Sequence, residues 1–290
     1  MESIASRRKQ LFDLIVANEA YGIQRRAEPI VKFELGEERA ANAGLRHLSG
    51  WFDRPHPDGQ PLREESDFTA QKIALALARY RERLEEDTVA AVRRFFTQFD
   101  FSSTNPAENQ LVRFRAARLV AGKQFPDAVF PAFGNRSGAE LAAEDAAFLK
   151  EFIRSRARRG RGEADSSRCL VSIWQSLLLC FDHAQDEELS RLAGNMMNLL
   201  LAGFFQKSPD GCCGGAQGRI GTAEALDHAA AGMYALGYLY GGVGCPELIR
   251  ECLVDAVLSK FEPLPEVAAV ALWKPDGEAV IRESGEGRAQ

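Results

Sequence analysis

The sequence has no run of uncharged apolar residues long enough to cross a bilayer. The richest windows, "QSLLLCF" and "NMMNLLLAGFF", are too short for a span and read as buried helix faces. The opening "MESIASRRKQLFDLIVANEAYG" is broken by Asp13 and Asn18, so it reads as an amphipathic helix, neither a signal peptide nor a membrane span. A basic excess is missing as well. The 36 Lys and Arg residues are outnumbered by 41 Asp and Glu, for a net charge of -5, and the two signs are mixed along the chain. That excludes the broad basic face of a dedicated nucleic-acid binder. The one concentrated basic run, "RSRARRGRGE" (154–163), reads as cations at a helix C-terminus with Gly160 as the stop.

Metal-ligand spacing is also absent. Of the six cysteines, Cys212 and Cys213 are adjacent, without the two-residue gap of a zinc knuckle, and Cys245 and Cys252 lie seven residues apart on a predicted helix. The reading is free thiols in a reducing, cytoplasmic setting, with no metal, no cofactor, no nucleic-acid partner and no membrane. Alternating strand patterns are scarce too. Only "KPDGEAVIRES", near the end, joins a turn signal to a short alternating run, which places a strand at 277–284.

What fills the chain is helical periodicity. "SIASRRKQLFDLIVANEA" puts Ile4, Leu11, Leu14 and Ile15 on one face, and "SDFTAQKIALALARYRERL" follows with Phe68, Ile73, Leu77 and Tyr80. "EEDTVAAVRRFFTQFDF" supplies Val89, Val92, Phe95, Phe96 and Phe99. The sum is nine or ten helices joined by short Gly, Pro and Asp turns, with the more apolar ones alternating with amphipathic ones. An all-α (α/α) toroid fits, an incomplete ring of antiparallel hairpins over 1–275, with 276–290 as a tail carrying the short strand. A layered α-solenoid fits almost as well.

Three polar loops stand at helix starts. "TNPAENQ" (104–110) offers Asn105 as N-cap, Pro106 at the first helical position and Glu108 three residues after the cap, a capping-box pattern. "GRGEADSSRC" (160–169) offers Asp165, Ser166 or Ser167 as the next cap and leaves Glu163 over. "SPDGCCGGAQGRIGTAEA" (208–225) ends in Thr222 as cap and leaves Gln217 and Arg219 without a capping role. In a toroid of hairpins such loops would converge on one mouth, where helix N-termini favour anionic groups. Glu108, Asn109, Gln110, Glu163, Asp165, Ser166, Arg168, Gln217 and Arg219 are the residues that would ring it.

These segments in this order resemble the helical region of a bacterial family related to heparinase II/III-like and alginate-lyase-like proteins. The family pattern runs Glu-Asn-His, then Gly-x-x-Glu-x-x-Ser-x-x-Tyr, then a Gly-rich stretch ending in Gly-Arg, and the likeness covers about residues 65–285. Glu108, Asn109, Glu163, Ser166, Gly218 and Arg219 match, whereas Gln110 stands in place of His and Cys169 in place of Tyr. His47, His56, His183 and His228 fall in no matched motif. The resemblance implies a carbohydrate or other polar, anionic ligand. If the protein is active, it implies β-elimination of a uronate polymer, with Asn109 or Gln110 holding the carboxylate and Arg219 stabilising the enolate. Two other readings stay open. One is a non-catalytic binding or scaffold module, since the expected His and Tyr are replaced. The other is glycoside hydrolysis by Glu108 and Glu163, which needs carboxyls about 5–10 Å apart.

Overall fold

The computed structural model describes residues 2–17, 26–50, 66–100, 107–160, 166–208, 211, 232–244 and 251–273. Among them are twelve α-helices and one two-stranded antiparallel sheet, so the chain is mostly helical, as its periodicity predicts. No described helix is long and apolar enough to cross a membrane. The chain forms two compact units, one of Tyr21–Leu149 with Asp182–Ser190, the other of Met1–Ala20, Lys150–Phe181 and Arg191–Gln290. The strand expected at 277–284 lies outside the described residues.

The unit built on Tyr21–Leu149 contains α2 (Glu28–Glu34), α3 (Glu38–Ser49), α4 (Ser66–Arg79), α5 (Glu86–Gln98) and α6 (Glu108–Gln124). Helices α2 and α3 lie beyond the set predicted from periodicity. At seven residues α2 is too short to show two turns of pattern, and α3 buries small residues (Ala41, Asn42) beside Leu45 and Leu48. α4 packs on α6, α2 on α3, and α3 on α5. Phe33 stacks on Tyr80 at 4.6 Å between ring centres, and Val92, Phe95 and Phe96 turn the buried side of α5 inward. Asn42, only 1% exposed, donates to the Arg83 carbonyl at 3.1 Å and accepts from the Glu85 N–H at 2.9 Å. One buried amide thereby ties α3 to the turn entering α5, where an unpaired polar group would be costly.

Between α6 and α7 (Gly138–Arg159) the chain makes a small hairpin that corrects the expectation of strand only in the tail. β1 (Val129–Phe130) pairs antiparallel with β2 (Arg136–Ser137), Val129 opposite Ser137 and Phe130 opposite Arg136. Gly134 and Asn135 take positive φ at its tip, 77° and 57°. Two-residue strands carry no alternation to read. At the base of the hairpin a Cβ on Gly122 would fall 2.4 Å from the Gly138 carbonyl oxygen, so the close approach of α6 to the start of α7 requires glycine.

The other unit contains α1 (Ile4–Ala17), α10 (Gly232–Gly241), α11 (Glu251–Leu258) and α12 (Pro265–Val270), together with the later part of α7, α8 (Ser167–His183) up to Phe181 and α9 (Glu187–Lys207) from Arg191. Leu11 and Ile15 of α1 are buried, and that helix packs on α10 and α11. Trp174 centres an aromatic core, 5.4 Å from Tyr240 and 5.7 Å from Phe261 between ring centres. Gln175 donates to Asp255 at 2.5 Å inside that core, linking α8 to α11. α12, with Pro265 at its first position, also went unpredicted because "VAAVAL" lacks a polar face to set a period.

Candidate functional site

The sequence-predicted site is only partly within reach. Glu108, Asn109 and Gln110 form the first turn of α6, half-buried. The helix begins two residues later than the capping pattern predicts, with Ala107 as N-cap at φ -61° and ψ 159°. The third helical position is therefore Gln110, whose Oε1 accepts from the Ala107 N–H at 3.0 Å. Alanine has no side-chain acceptor to return the bond, so Gln110 supplies one half of a capping box. This corrects the assignment of that role to Glu108. Ser166 is fully buried and caps α8, accepting from the Cys169 N–H at 3.2 Å. Cys169, standing where the family pattern has Tyr, is 2% exposed. Glu163, Asp165, Gln217 and Arg219 lie outside the described residues, as does the side chain of Arg168. The described residues therefore do not bring the proposed mouth together.

A different surface feature has the makings of a site. An open groove of about 730 Å³ runs along the outer side of α5. Glu86, Val89, Ala90, Arg93, Arg94, Thr97 and Gln98 line it at steps of three and four residues, the spacing of one helix face. Arg81 and Leu84, just before α5, also line it, as does Val129 of β1 with 55% of its surface exposed. Arg93 and Arg94 are exposed, and Arg81 and Arg93 make no side-chain ion pair among the described residues. Arg81, Arg93 and Arg94 share this lining with a single carboxylate, Glu86, on a chain that is acidic as a whole.

The wall carrying Val129 is held by a charged network on α6, α7 and the hairpin. Asp145, with no exposed surface, takes Arg118 as a bidentate partner, from Nε at 2.7 Å and Nη2 at 2.8 Å, and Arg115 at 2.8 Å. Glu144 takes Arg115, Arg118 and Arg136, the last of these reaching across from β2. The guanidinium of Arg118 also lies 4.7 Å from the Phe114 ring centre and 5.0 Å from that of Phe133. Glu140 accepts from the Ser137 N–H and hydroxyl, both at 2.8 Å. The Arg136 bond and its neighbours hold the Glu144 carboxyl down at about 2. Burial pushes the Asp145 carboxyl up, while both guanidiniums pull it down. Three charge-assisted bonds of 2.7–2.8 Å favour its ionised form.

No family model, no curated protein and no solved structure aligns with this chain. The groove must therefore be read from its own chemistry. None of the residues expected to form a site lines it. The sequence did carry a signal in "VAAVRRFF": the adjacent Arg93 and Arg94 fall opposite the Val92–Phe95–Phe96 face and have no core role. Val89, expected in the core, is half-exposed and belongs to the groove. The contribution of Val129 had no sequence signal, because it depends on the hairpin folding back toward α5.

Proposed function

We propose that this protein is a non-catalytic helical binding module that holds an anionic ligand in the α5 groove. The observation that carries the reading is a lining that holds Arg81 and Arg93, which make no ion pair among the described residues, with Arg94 beside them and Glu86 as its single acid. Guanidiniums present fixed forks of donors to carboxylates and phosphates, and at a partly solvated groove they favour anions without burying an unpaired charge. A lyase would need a proton carrier where Gln110 and Cys169 stand. Gln110 is bonded to the backbone of Ala107 and Cys169 is buried, which weighs toward the binding reading over β-elimination. The mostly helical chain is compatible with an (α/α) toroid, and the proposal keeps that architecture.

The test is fluorescence anisotropy with labelled polyglutamate and polygalacturonate, against neutral dextran, at low and high salt. Anionic polymers should bind and dextran should not, with affinity falling steeply as salt rises. Arg93→Glu with Arg94→Glu should abolish the binding. Equal binding of dextran, or anion binding indifferent to the charge reversal, would overturn the proposal. Growth of ultraviolet absorbance from unsaturated uronate product would overturn its non-catalytic clause.

A further inference from the structure

We infer that the occupant of the α5 groove is an acidic amphipathic helix, about three turns long, supplied by a partner protein. This rests on the anionic-ligand reading of the groove and goes further by naming the class of ligand. The first ground is charge: the lining offers Arg81, Arg93 and Arg94 against Glu86 alone, so an occupant must bring carboxylates to be complementary. The second is the apolar part of the same lining. Leu84, Val89 and Val129 belong to it, and Val129 leaves 55% of its surface in water. A polyanion alone, whether polymer or inorganic, would leave that surface unused, whereas apolar anchors on an acidic helix would cover it.

The third ground separates a protein from sugars and nucleic acids. No Trp, Tyr or Phe lines the groove among the described residues. A pyranose ring has no aromatic face to stack on there, and unpaired bases lack the stacking platforms that single-stranded nucleic acids use. The fourth is shape. The lining follows one face of α5 from Glu86 to Gln98, about 18 Å at 1.5 Å per residue, which is about three turns of a helix lying alongside. An amphipathic helix in a groove is read through anchors at i, i+3 or i+4, and i+7. Such a segment fits a lining that mixes the apolar Leu84, Val89 and Val129 with the arginines. Its acids would gather toward Arg93 and Arg94, away from Glu86.

The test uses a fluorescein-labelled 16-residue peptide of Glu, Ala and Leu with leucines at i, i+4 and i+7. An isomer of identical composition has its leucines spread around the helix, and labelled polyglutamate and polygalacturonate report plain anion binding. The patterned peptide should bind at least tenfold more tightly than its isomer. Leu84→Ser with Val129→Ser should weaken it at least tenfold while leaving polyglutamate binding within twofold, with the fold checked by circular dichroism and melting. Equal binding of the two peptides, or no response to the apolar variants while polyglutamate still binds, would overturn the helix inference and leave the anion reading standing. Tighter binding of polygalacturonate than of the patterned peptide would overturn it in favour of a carbohydrate. If no anionic probe binds at all, the underlying reading falls with it.

Discussion

Replacing Asp145 with Asn tests how the groove wall is held. Asp145 is fully buried, Arg118 is 7% exposed at its side chain, and three bonds of 2.7–2.8 Å join the carboxylate to two guanidiniums. Asparagine keeps the volume, but it removes the charge and turns one acceptor into a donor facing donors. Stranding a buried charge by removing its partner typically costs about 3–5 kcal/mol. Arg115 is 20% exposed and can rehydrate in part, which moves the expectation to the lower end, about 3 kcal/mol. Urea unfolding followed by circular dichroism reads this directly. With a slope of about 2–3 kcal/mol per molar urea, the midpoint of the transition involving α6 and α7 should fall by about 1 M. The exposed partner gives the contrast: Glu144→Gln should cost less than about 1 kcal/mol, as screened surface pairs do. A loss below about 1 kcal/mol for Asp145→Asn would refute the claim that this carboxylate anchors the network.

Three further outcomes follow from the geometry. Gly122→Ala should destabilise by about 1–3 kcal/mol in the same urea assay, since its Cβ would meet the Gly138 carbonyl at 2.4 Å, whereas Gly134→Ala should cost only its φ of 77°. Glu144, held at about 2, well below the ordinary glutamate range, contributes stability that is complete above the unfolded value and lost as pH falls from about 4.5 toward 2. The full shift would be worth about 3 kcal/mol, reduced to about 1 kcal/mol for a carboxylate 38% exposed. Asp145, pushed up by burial, has the opposite sign, so the pH profile of Glu144→Gln against the parent isolates the Glu144 part. Cys169 and Cys180 are free and buried, so both should react with a thiol reagent in denaturant and resist it in the folded protein.

The helical class was legible because most helices repeat apolar residues over several turns. α5 shows both the reach and the limit of that reading. Its pattern places Val92, Phe95 and Phe96 in the core, where they are, but also Val89, which faces the groove. Periodicity resolves a face only to within a residue or so, and Val89 sits at the border. The start of α6 was legible as a start, yet its register was off by two residues, which moved the capping role from Glu108 to Gln110. Both residues can reach back to a cap, and only the backbone dihedral at Ala107 decides between them. The Arg–carboxylate network could not be read in advance. Arg115 and Asp145 are thirty residues apart, and Arg118 and Asp145 twenty-seven, so their pairing exists only once the hairpin brings α6 and α7 together. The same fold-back places Val129 beside α5. A site made by tertiary approach leaves little trace in a one-dimensional pattern, whereas an arginine pair opposite a core face does.

The central claim is that the α5 groove is a surface for anions, and one titration addresses it most directly. Labelled polyglutamate is titrated with the parent protein and with the Arg93→Glu, Arg94→Glu variant at low and at physiological salt. Two reversals at exposed residues change the groove by four charges and leave the Val92–Phe95–Phe96 core face intact. The account predicts saturable, salt-sensitive binding by the parent, a loss of at least tenfold in the variant, and melting temperatures that differ by no more than a few degrees. Binding of equal strength by parent and variant would contradict it.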